Sequence, residues 1–225
     1  MKHILMGLML LFSVSALGIQ IKHGPWISDM DSTSVTILWV TDQPGLSWVE
    51  IAPDSADHFY GKARPRYYDV LNGRKMLKDS VHRVRIEGLK PNTKYRYRVF
   101  TQKVVDWRYD DWVTFGSTAC TDVWRGKPYE FTTFASEPKE ITFLVMNDIH
   151  ERAAFMKDLC KDVDFNKIDF VLLNGDMSNR LNSQKHMMEA YLDTCIHMFA
   201  THTPLFFNRG NHELRGPFAD YLYRY

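Results

Sequence analysis

The sequence predicts a two-domain chain, an all-β sandwich followed by an α/β unit built on a parallel sheet. Three observations carry this. From Pro25 to about Phe134, short β-branched and aromatic runs alternate with turn residues and show no helical period. Past a short polar joint, Ala135 to Lys139, strand-like runs alternate with helical ones. The strands of this second region are continuous apolar runs, the pattern of strands covered on both faces.

The length of 225 residues accommodates two ordinary domains, and 45% apolar with 24% charged residues is the balance of a folded chain. Residues 1–18, MKHILMGLMLLFSVSALG, read as a signal peptide: a basic start at Lys2, an apolar run from Ile4 to Val14, and small residues Ala16 and Gly18 at the cleavage point. That run falls short of the roughly 20 residues needed to span a bilayer. The expected product is secreted or periplasmic, with no membrane span once the leader is removed. A formal charge of +1 gives no general attraction to nucleic acid or anionic lipid, so binding must come from a local site. Cys120, Cys160 and Cys195 are too few for a disulfide scaffold; Cys160 and Cys195 are either a pair or two small buried residues.

Within residues 19–136, the runs Ser34 to Val40 and Ser47 to Ile51 flank turn residues. Val81 to Ile86 and Lys94 to Phe100 alternate charged and apolar residues, as strands with one wet face do. Lys94, Arg96 and Arg98 belong on that wet face, which leaves no nucleic-acid surface evident. Val104 to Tyr129 reads as an irregular insertion before a closing strand, Phe131 to Phe134. The segment Leu89-Lys90-Pro91-Asn92-Thr93-Lys94-Tyr95 resembles the corner of fibronectin type III domains, in which the tyrosine hydroxyl bonds back to the backbone.

Residues 137–225 repeat one theme. Ile141 to Met146, Phe170 to Leu173 and Leu205 to Phe207 are strands, separated by helices around Arg152 to Asp162 and Ser183 to Phe199, hence a βαβαβ sheet with right-handed crossovers. Each strand runs into a polar cluster: Asn147-Asp148-Ile149-His150, then Asn174-Gly175-Asp176-Met177-Ser178-Asn179, then Gly210-Asn211-His212-Glu213. The carboxyl ends of parallel strands lie at one edge, so the clusters converge there. Two aspartates, two histidines and an asparagine suit divalent Zn, Mn or Fe, and cations would offset the repulsion between Asp148 and Asp176.

D-x-H, G-D and G-N-H-E in this order resemble the signature of the calcineurin-like metallophosphoesterases, and the sandwich in front is similar to the N-terminal domain of purple acid phosphatases. The resemblance implies phosphate-ester hydrolysis by a metal-bound hydroxide in a two-metal site, with a small phosphate ester as substrate. It implies that Asp148 and His150 bind the first metal, Asp176 bridges, and Asn211 binds the second. His212 would stabilise charge and help the leaving oxygen depart, and Arg180 is a weaker candidate for an anion contact. Asn179 stands where purple acid phosphatases have a tyrosine ligand, so no iron–tyrosinate colour is expected; it also leaves the orienting partner of His212 in doubt. The family's later histidine and G-H-x-H motif do not occur before Tyr225, so a first βαβαβ half is expected, binding metal poorly and hydrolysing little alone. His186, His197 and His202 read as ordinary helix residues.

Two other readings compete. His150-Glu151 and His212-Glu213 lack a histidine four residues after the first, so the helical HExxH geometry of zinc proteases fails. A secreted fibronectin-like binding module with a vestigial phosphoesterase half is the non-enzymatic alternative.

Overall fold

The computed structural model describes residues 18–108 and 112–225. The leader expected over residues 1–18 lies outside the described residues except for Gly18. The first half of the chain forms β1 (Ile21–Ser28), β2 (Val35–Thr41), β3 (Gly45–Pro53), β4 (Arg66–Tyr68), the small hairpin β5 (Val70–Leu71) and β6 (Arg74–Lys75), β7 (Val81–Ile86), β8 (Lys94–Arg108), β9 (Trp112–Cys120) and β10 (Tyr129–Thr132). One antiparallel sheet has the order β1-β2-β7, and the facing one has the order β10-β8-β3-β4 with β9 also on β8. Ile37, Trp39, Val49, Ile51, Val84, Tyr97, Val99 and Phe131 fill the space between them. The expected corner is present: the Tyr95 hydroxyl accepts a hydrogen bond from the Lys90 N–H at 2.9 Å.

Two expectations for this half are corrected. The stretch from Val104 to Cys120 is not irregular, although residues 121–128 are: β8 continues to Arg108 and β9 returns alongside it, pairing Val104 with Phe115 and Arg108 with Trp112. This arm extends beyond the sandwich, leaving Val105 and Trp112 exposed, so its polar and apolar residues are not sorted as a packed strand's would be. Arg96 is not on a wet face but 6% exposed. The segment after β3 folds over it, and its guanidinium reaches Asp57 at 2.6 Å, Ser55 at 2.7 Å and Asp54 at 3.2 Å, a set of acceptors that makes burial of the charge affordable.

The second half forms β11 (Phe143–Met146), α1 (Ala153–Leu159), β12 (Phe170–Asn174), a helix over residues 184–200 and β13 (Leu205–Asn208). That helix mixes α turns (Gln184–Met187, Asp193–Cys195) with π turns (Met188–Leu192, Ile196–Ala200). The strands are parallel in the order β11-β12-β13, and Leu172 pairs with both Val145 and Phe206. Consecutive crossovers of one hand, along a sheet growing in one direction, put both helices on the same face. Met146, Val171, Leu173 and Leu205 are buried on that face, whereas Phe143 on the other is 52% exposed and stacks on Phe170 at 4.9 Å. The expectation that the strands are covered on both faces is therefore corrected: among the described residues only one face is.

The outer side of the β1-β2-β7 sheet explains why β2 is buried along its whole length. Trp26, Leu38, Val40 and Val81 join Met187, Met188, Tyr191, Leu192 and Cys195 in one apolar cluster. Polar ties border it: His23 Nδ1 with Asp193 at 2.9 Å, Tyr97 Oη donating to the Thr201 carbonyl at 2.7 Å, and Arg224 with Asp79. Cys160 and Cys195 are buried free thiols, and burial pushes the Cys195 thiol far above its ordinary range. No helix among the described residues is long and apolar enough to cross a membrane.

Candidate metal centre

Each strand of the parallel sheet ends on a loop, and the three loops are joined by backbone hydrogen bonds. The N–H groups of Asp148, His150 and Glu151 donate to the carbonyls of Gly175 (3.2 Å), Asp176 (3.1 Å) and Met177 (2.9 Å). This stitching holds the backbone in a shape that side-chain-bearing residues resist: Asp148, His150, Glu151 and Asp176 have φ of 55°, 51°, 64° and 55°. Each such residue costs about 1–2 kcal/mol, which persists only where surrounding bonds fix it. Gly175 and Gly210 meet backbone to backbone: a Cβ on Gly175 would lie 2.7 Å from the Gly210 Cα, so neither loop could approach as it does with a larger residue there.

The side chains turn towards one another. Ligand atoms of His150, Asp176 and His212 lie within 4.8 Å, and the two imidazoles meet edge to face at 4.6 Å. His150 Nδ1 is 3.1 Å from Asn179 Oδ1, which leaves Nε2 facing Asp148 Oδ1 at 3.6 Å. Two atoms bound to one zinc-sized ion at about 2.0–2.2 Å stand roughly 3.4 Å apart at the tetrahedral angle. The Asp148–His150 pair is therefore spaced for a divalent cation, and mixed carboxylate and imidazole donors suit Zn, Mn or Fe.

Asp176 accepts from the His212 N–H at 3.0 Å. With its amide oriented to match its neighbours, Asn211 donates to Asp176 Oδ2 at 3.0 Å and accepts from Arg215 at 3.1 Å. Asn211 is thus beside Asp176, but half a turn of its amide is needed before its oxygen faces a cation on that carboxylate. Arg180 is exposed and, among the described residues, its guanidinium has no hydrogen-bond or ion-pair partner. It is not drawn into the cluster.

Asn179 serves both histidines. Its side chain meets His150, while its carbonyl lies 3.0 Å from His212 Nδ1. The orienting partner of His212 is therefore the backbone of Asn179, not its side chain. A carbonyl accepts from both the neutral and the protonated ring, so it fixes the orientation and leaves Nε2 as the working atom.

Three residues unassigned by the sequence reading also shape the site. Arg215 reaches within 3.2 Å of His212 Nδ1 and brings a positive charge to the rim. Glu151 accepts the Asn179 N–H at 2.9 Å and meets His186 at 3.4 Å, so His186 supports a site loop besides being a helix residue. Partial burial opposes ionisation of Glu151, but the Asn179 N–H and amide, His186 and the Arg180 N–H outweigh it and hold the carboxyl below its ordinary value. Glu213 is buried, with its carboxylate turned into the backbone of both neighbouring loops. The only signal for Arg215 and Glu151 was adjacency to the motifs, and for Glu213 its place inside the third.

Comparisons with known proteins agree with this architecture. Residues 25–117 match the profile of the purple acid phosphatase N-terminal domain, and residues 141–225 match that of the calcineurin-like phosphoesterases. A purple acid phosphatase isolated from yellow lupin (Lupinus luteus) seeds is similar over 84% of this chain, with a TM-score of 0.53 and 16% identity. The chain spans 35% of that protein's length. Other similar structures include the FN5 domain of Drosophila Lar (12% identity, TM-score 0.30, 53% of this chain and 100% of that one) and the chicken CNTN1 FN1–FN3 domains (11%, 0.32, 58% and 39%). No curated protein matches the sequence. With the two matched regions in this order, the chain carries a purple acid phosphatase-type N-terminal domain followed by a calcineurin-like phosphoesterase domain.

Proposed function

We propose that the protein is a secreted metal-dependent phosphoesterase acting on a small phosphate ester. The observation that carries this reading is the convergence of His150, Asp176 and His212 ligand atoms within 4.8 Å at the carboxyl edge of a parallel sheet. In this reading Asp148 and His150 would hold one divalent ion, Asn211 a second, and Asp176 would be shared between them. The metal pair, when bound, supplies Lewis acidity towards the phosphoryl group and a water made nucleophilic near neutral pH.

The protein's own residues do the rest. His212, oriented through Nδ1, presents Nε2 as the atom that gives a proton to the departing ester oxygen. Arg215 at the rim and the more distant Arg180 supply positive charge against a phosphate dianion. Secretion rests on the leader-like residues 1–18. No membrane span and no nucleic-acid contact enter this function.

The test is hydrolysis of p-nitrophenyl phosphate and bis-p-nitrophenyl phosphate with added Mn, using the full-length protein and its Asp176→Asn variant. Loss of turnover in the variant is expected, and unchanged turnover would rule out the bridging role of Asp176.

A further inference from the structure

We propose that Glu213 is a positioning residue that sets the spacing between the loop carrying Asp176 and the loop carrying Asn211; what those loops hold rests on the phosphoesterase reading. Its side chain is 0% exposed, and among the described residues no basic side chain pairs with it. Its charge is met by backbone instead. Oε2 accepts from the N–H groups of Asp176 (2.8 Å) and Gly210 (3.0 Å), and Oε1 accepts from that of Ser178 (3.1 Å). One carboxylate therefore spans two loops that follow different strands.

The need for such an acceptor follows from the backbone. The chain leaves β12 through Gly175 and Asp176, at φ of 83° and 55°, so these N–H groups turn away from the strand ladder. The Gly175 and Gly210 backbones meet with no room for a side chain between them, and Glu213 is the acceptor placed beside that contact. The Asp176 N–H donates to Glu213, while its carboxylate accepts from the His212 N–H and from Asn211. Rotation of the Asp176 backbone away from Glu213 would swing that carboxylate off the position where it faces His150 and His212. Both Glu213 carboxylate oxygens are taken up by backbone N–H groups, so it acts through Asp176 and the loop that carries Asn211.

The test uses Glu213→Gln, which keeps the shape but sets an amide NH2 against a backbone N–H. Hydrogen exchange at the Asp176, Ser178 and Gly210 amides, followed by NMR without metal, is expected to quicken at least about 10-fold, with Val171 and Leu173 unchanged. Affinity for Mn²⁺, read from paramagnetic line broadening, is expected to fall about 10- to 100-fold, the usual effect of losing a group that orients metal ligands. A residue important only for stability would move all amides together and leave Mn²⁺ affinity unaltered, and that result would overturn the proposal. If the variant does not fold, exchange in the wild-type chain decides: the three loop amides should be as slow as Val171 and Leu173, and unprotected exchange there overturns it. A full-length wild-type protein that binds no Mn²⁺ speaks against the phosphoesterase reading, while the metal-free exchange data still decide the role of Glu213.

Discussion

Acidification from pH 7 to pH 5 should weaken the sandwich through a single buried histidine. His82, on β7, is 1% exposed, its Nε2 lies 2.7 Å from Thr41 Oγ1, and its ring packs on Trp39 at 5.3 Å. Burial without a carboxylate partner drives its pKa down from 6.5 to about 3. The unfolded chain takes up a proton on this residue below pH 6.5, while the folded one stays neutral. Stability is therefore full above pH 6.5 and is lost as the pH falls towards 3, by about 1.4 kcal/mol per unit. At pH 5 the loss is roughly 2 kcal/mol, or about 4–8 °C in Tm for a protein of this size. Urea unfolding at pH 7, 6 and 5 should show this loss in the wild type and not in His82→Gln, which keeps a polar group near Thr41 but does not titrate. Equal slopes in the two proteins would refute the reasoning.

Other perturbations follow from individual contacts. Tyr95→Phe removes the acceptor of the Lys90 N–H and should cost about 1–2 kcal/mol in urea unfolding, with the far-ultraviolet spectrum unchanged. Trp26→Ala empties a site that is 2% exposed in the cluster shared by the sandwich and the long helix; a loss of about 3–5 kcal/mol is expected, measurable by thermal melting. Gly210→Ala sets a Cβ against the Asp176 carboxylate and 2.5 Å from the Asp176 backbone N, so it should weaken Mn²⁺ binding in calorimetry far more than it lowers Tm.

The parts of the fold legible in the sequence are those where one residue type has one physical use. Tyr95 follows a proline turn at the spacing that returns its hydroxyl to Lys90, and the apolar runs of β11 to β13 announce a parallel sheet. That the loops carrying His150, Asp176 and His212 meet at one edge follows from strand direction alone. What escaped depends on long-range geometry. Arg96 looks solvated until Asp54, Asp57 and Ser55 fold over it, and β9 is legible only as the partner of β8. Coverage of the sheet was misjudged because an apolar run does not say which face its helices take: Phe143 and Met146 read alike but end on opposite sides. Glu213 sits inside the third motif, yet its role is fixed by N–H groups on a loop 35 to 37 residues earlier, which no local pattern encodes.

The arrangement of the metal site can be examined most directly by anomalous diffraction. Crystals soaked in millimolar MnCl₂ or ZnCl₂ should give difference peaks at the edge of the parallel sheet, one within coordination distance of Asp148 and His150 and both against Asp176, with the Asn211 amide turned to present its oxygen. Peaks confined to other carboxylates, or none at this edge, would contradict the assignment of these residues as a shared divalent-cation site.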